Sequence, residues 1–120
     1  MADPVFHSDR FFQAWRYTVS HRQLLLRSTK SDVAQTRIDI VFKDVSLMLI
    51  GPTFRGMTIP TCDSSILKRS GLPTFDLGGR SLYQIQTQSH LGFVAAGNIM
   101  MHEDELGFEA PSALLIGSFL

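Results

Sequence analysis

Apolar and polar residues alternate most clearly along the run Arg37-Ile38-Asp39-Ile40-Val41-Phe42-Lys43-Asp44-Val45-Ser46-Leu47-Met48-Leu49-Ile50. Side chains of a strand point to alternate faces. A turn centred on Lys43-Asp44 would pair Val41 with Ser46 and Asp39 with Met48. Ile38, Ile40 and Phe42 would then share one face with Val45, Leu47 and Leu49. A slip of one residue would scatter that set, so the pattern predicts a hairpin in this register. Its β-branched and aromatic content favours strand over helix, and Gly51-Pro52 stops it. The opposite face is mixed. Val41, Met48 and Ile50 lie on it and call for cover, from another element or from another chain.

The same logic extends outward. Trp15 to Ser28 predicts a second hairpin turning at His21-Arg22, with Val19 facing Leu24, Tyr17 facing Leu26 and Arg16 facing Arg27. Residues 5–15 fit a helix or a strand equally, although Phe11, Phe12 and Trp15 anchor them in a core. Met57-Thr58-Ile59 is a short strand between Gly56 and Pro60. One short helix is expected between Asp63, as N-cap, and Gly71, with Lys68 and Arg69 near its negative end. From Ser81, Tyr83, Ile85 and Thr87 alternate with Gln84, Gln86 and Gln88. Gly92 to Ala96 is a strand, Gly97-Asn98 suits a tight hairpin turn, and Ile99 to His102 returns from it. Ala113 to Ile116 reads as a buried last strand.

These elements predict an all-β, antiparallel sandwich or flattened barrel. It would have about eight or nine short strands built from consecutive hairpins, and one short helix. The 120 residues fit a single domain over 1–120.

Composition narrows the functional classes. The formal net charge is zero, which gives no electrostatic pull toward nucleic acid or anionic membrane. The charges are nonetheless segregated. Every Lys and Arg lies at or before Arg80, and beyond it the charges are Glu103, Asp104, Glu105 and Glu109. The two halves either neutralise each other within the fold or attract between copies. No apolar run approaches the ~20 residues that span a bilayer. No signal sequence is visible and Cys62 is the single cysteine, so cytoplasmic residence is the expectation.

Candidate chemistry is sparse. Cys62 precedes the expected helix, where free amides lower a thiol pKa. Its neighbour Asp63 opposes ionisation, and a core cysteine is the expected reading. The acidic run His102-Glu103-Asp104-Glu105 lacks the spacing of a calcium loop, and no zinc spacing occurs. No phosphate-binding glycine motif or nucleophile elbow is present. We therefore expect no catalytic residues, metal or cofactor, and no enzymatic activity.

Two binding readings remain. The first is a non-catalytic protein-interaction module that self-associates as a homo-oligomer or binds another protein. Val41, Met48 and Ile50 are its candidate interface. The second is a small-ligand-binding, possibly carbohydrate-binding, domain. Trp15, Tyr83, Gln84, Gln86 and His90 are its candidate pocket, since aligned amides and aromatic rings recognise hydroxyl-rich ligands.

Overall fold

A computed structural model describes residues 4–60 and 77–114. It is all-β. Among the described residues, eight strands form one antiparallel sheet: β1 (Phe6–Thr18), β2 (Gln23–Ser28), β3 (Arg37–Lys43), β4 (Leu47–Leu49), β5 (Thr53–Ile59), β6 (Ser81–Gln86), β7 (Leu91–Ala96) and β8 (Asn98–Asp104). Their order across the sheet is β4-β7-β6-β5-β1-β2-β3-β8. A single 3-10 turn, Ser20–Arg22, joins β1 to β2. The helix expected at 63–71, Cys62 and residues 115–116 of the expected last strand lie outside the described residues. Ala113 and Leu114 are in a turn rather than a strand.

The expected central hairpin is corrected. β3 pairs with β2 and β8, whereas β4 pairs with β7. Asp44 does adopt a left-handed conformation, with φ 56°. It turns a corner there instead of reversing the chain. Residues 44–46 carry β3 on into β4, and Gly97 likewise carries β7 on into β8. The Gly97 amide donates to the Lys43 carbonyl at 2.8 Å and the Ser46 amide to the Ala95 carbonyl at 2.9 Å. Two long bent strands thus run side by side, 37–49 against 93–104. The hairpin expected at Gly97-Asn98 does not form for the same reason.

Of residues 5–15, all but Val5 resolve as strand, and two bulges bend β1. Its first half pairs with β5 and its second with β2. Asp9 and Arg10 together oppose Gly56, whose φ of 75° suits glycine. Trp15 is the extra residue of the other bulge, between the pairs Ala14–Leu26 and Arg16–Leu25. The β1–β2 register therefore differs from expectation. Tyr17 faces Leu24, and Gln13 rather than Arg16 faces Arg27, which avoids opposing two cations.

One face of the sheet curls around a single core. Phe12, Leu24, Leu26, Ile40, Phe42, Phe54, Met57, Ile59, Tyr83, Ile85 and Val94 form it, drawn from six strands. Leu82, Phe93 and Ala95 make a smaller cluster on the outer face, as do Leu25 and Val41. Among the described residues, no helix is long and apolar enough to cross a membrane.

Candidate interaction surface

The outer face of β2 and β3 carries a buried ionic lattice. Arg27, Arg37 and Asp39 are each at most 1% exposed. Arg27 grips Asp39 through two bonds of 2.7 and 3.1 Å. Arg37 does the same to Asp104 at 3.0 and 2.8 Å and lies 3.8 Å from Asp39. Two cations and two carboxylates balance. Both guanidinium groups also donate to backbone carbonyls of the segment after β8. Arg27 donates to Phe108 at 2.8 Å; Arg37 donates to Gly107 at 3.0 Å and Ala110 at 2.6 Å. This strap, residues 105–114, therefore crosses back over β3 and β2. Trp15 stands against it, with Phe108 edge-on at 6.4 Å and the Arg27 guanidinium 5.2 Å from its ring centre.

The strap also decides the fate of Val41. Val41 is fully buried with Leu25 under Trp15 and Leu114, so its cover comes from within the chain. Ile50 is half-buried against the core. Met48 alone of the three interface candidates is exposed, at 43%.

Asp104 sits under opposing influences. Burial raises its pKa, but the Arg37 hydrogen bonds, the Leu106 amide and the charges of Arg37 and His102 outweigh it, and the net displacement is downward.

A different surface emerges at β8, which sequence reasoning missed. Among the described residues β8 pairs only with β3, leaving its second edge open over seven residues. Met100 and Met101 are 37% and 42% exposed there. Proline and lysine, which blunt an open edge, are absent from Asn98-Ile99-Met100-Met101-His102-Glu103-Asp104. Its acids are engaged within the chain, Asp104 by Arg37 and Glu103 by the Thr36 hydroxyl. Thr36 in turn accepts from Arg10, whose guanidinium also binds the Ser28 hydroxyl and closes that end of the core. The run Ile99-Met100-Met101-His102 reads as a strand but carries no sign of which of its edges is paired. Only the topology shows that, among the described residues, its second edge has no partner strand.

The five ligand candidates are not brought together. Tyr83 is buried in the core against Phe42, with ring centres 5.4 Å apart. Trp15 lines a cavity of about 190 Å³ beneath the strap. Gln86 lines another of about 260 Å³ with His7, Thr58 and Gln88. Gln84 is half-buried on β6 opposite Phe93. His90 is a structural pin. Its Nε2 accepts from the Gly51 amide at 3.2 Å, so Nδ1 carries the proton and donates to Thr87 Oγ1 or Ser89 Oγ. A groove of about 540 Å³ runs between β1, Arg55 of β5 and the 28–34 loop. Asp9 and Asp32 line it along with Arg10, Arg55, Phe11 and Val33, so neither charge sign dominates.

Among the described residues, no group of three His, Cys, Asp or Glu side chains is placed to hold a metal ion. Comparison with protein-family models, with curated proteins and with solved structures finds no match to this chain.

Proposed function

We propose that the chain is a protein-interaction module that self-associates and acts without catalysis. The open edge of β8 carries this reading. An edge strand is a template for another strand, and an unprotected one with exposed methionines is suited to pairing. Methionine also adapts its shape to a partner at little cost. Of the four late acids Asp104 is paired with buried Arg37 while Glu105 and Glu109 are exposed, so the reading rests on the β8 edge and not on attraction between oppositely charged halves. Sedimentation velocity over a wide concentration range tests the reading. We expect a reversible shift toward a larger species as concentration rises, and a monomer throughout would refute it.

A second reading, small-ligand binding, draws on the 540 Å³ groove, which exceeds the ~300 Å³ at which ligand sites begin. Its lining differs entirely from the residues expected to bind. Shifts of the Phe11 and Arg55 NMR signals on adding a panel of saccharides would favour it.

A further inference from the structure

We propose that the partner of β8 is β8 of a second copy, paired antiparallel about a two-fold axis at Met101. This rests on the self-association reading above and adds the surface and the register.

The axis follows from parity and length. A two-fold axis perpendicular to the sheet requires opposed residues to share a face, so both must be odd-numbered or both even-numbered. Three centres near the middle of the strand satisfy this: Met100, Met101 and His102. Centring on His102 sets two imidazoles against each other and shortens the paired run to residues 100–104. Centring on Met100 carries Glu103 and Asp104 past Asn98, to positions beside Gly97 and Ala96. There β6 already occupies the edge, since Ser81 pairs with Ala96. Centring on Met101 uses the free run from Asn98 to Asp104 once and stops where β6 begins.

That register also suits the side chains. Met101 opposes its own copy, Met100 opposes His102, Ile99 opposes Glu103 and Asn98 opposes Asp104. No carboxylate faces a carboxylate, which would be destabilising across an antiparallel pair. Exposed apolar surface at Met100 and Met101 lies at the centre, and the acids lie at the ends. The strap leaves the edge clear, because the Arg37 and Arg27 bonds to the carbonyls of Gly107 and Phe108 draw it over β3 and β2 instead. A seven-residue strand pair is at the small end of protein interfaces, so the association is weak and concentration-dependent.

Two measurements test this. In sedimentation, Met101→Lys places two like charges on the axis and should weaken the dimer at least tenfold. Met48→Lys, at an exposed site on β4, should leave it unchanged. Cross-linking then reads the register. With Cys62 replaced by alanine, Met101→Cys should couple to itself through a short bis-maleimide. A mixture of Ile99→Cys and Glu103→Cys chains should couple to each other better than either does alone. Val33→Cys, 95% exposed in the loop between β2 and β3 and outside the proposed strand pair, sets the collisional background. A dimer that resists Met101→Lys, or that cross-links at Met101 no better than at Val33, overturns the β8 interface while leaving self-association standing. Should the Cys62 replacement not fold, the Met101→Lys and Met48→Lys comparison in the parent chain decides alone. A chain monomeric at every concentration overturns both proposals.

Discussion

Asp39→Ala is the sharpest probe of how this fold is held together. Asp39 is 1% exposed and closes two bonds with Arg27, while Arg37 lies 3.8 Å away. Its removal leaves Asp104 bound to Arg37 and takes the carboxylate away from the buried Arg27 guanidinium. Breaking a buried pair by deleting one partner costs about 3–5 kcal/mol, chiefly because the surviving charge is stranded. A domain of this size has a total stability of roughly 6–18 kcal/mol, so the loss is a large fraction of it. At about 4 °C per kcal/mol, the midpoint should fall by about 12–20 °C in calorimetry or thermal circular dichroism. Arg27→Met in the same background should recover part of that loss, because it removes the stranded cation and keeps the apolar stem. A loss below about 1 kcal/mol, typical of an exposed ion pair, would refute the reasoning. The strap would then be open to water and the lattice solvated.

Two further outcomes follow from local geometry. A Cβ on Gly92 would lie 2.8 Å from the Leu49 carbonyl oxygen and 2.6 Å from Ile50 Cδ1; the side chain can yield but the paired backbone cannot, so Gly92→Ala should cost about 1–3 kcal/mol in urea denaturation, as overpacking does. The lowered pKa of Asp104 means that its contribution is present above the ordinary aspartate value and is lost as pH falls through the lower, folded one. The strap should therefore loosen below about pH 4, visible as a change in the fluorescence of Trp15, the single tryptophan, and Asp104→Asn should abolish that acid transition.

The strand content was legible because alternation is local. Ile38, Ile40 and Phe42 against Arg37, Asp39 and Val41 mark a strand whatever it pairs with, and Tyr83 and Ile85 point inward as their spacing implies. Pairing partners were not legible. The bulge at Trp15 leaves no mark that alternation can detect, yet it shifts the β1–β2 register and lifts the ring to the outer face. Asp39 alternated as a solvent-facing residue would, and nothing nearby indicated that a segment some seventy residues later would bury it. The exposed ring of Phe11, beneath the Arg55 guanidinium at 5.7 Å, shows the converse, since an aromatic on a long bent strand need not face the core.

The two misread corners have a common physical cause, and they create the proposed interface. Asp44 at φ 56° and Gly97 have the residue types of hairpin turns. A reversal at each would have paired β3 with β4 and β7 with β8, consuming the edges within two hairpins. Instead the two corners meet. A Cβ on Gly97 would lie 3.1 Å from Asp44 Cβ, and Arg80 fastens the junction by donating to the Asp44 carbonyl and carboxylate, both at 2.9 Å. Because both strands bend together there, the ladder between 37–49 and 93–104 runs on through the corner with only a small register shift. Each long strand then has a second neighbour along only half its length: β2 beside β3, and β6 beside β7. Among the described residues the other halves, β4 and β8, are left as edges. β4 spans three residues and β8 spans seven, so β8 alone offers enough backbone to hold a partner.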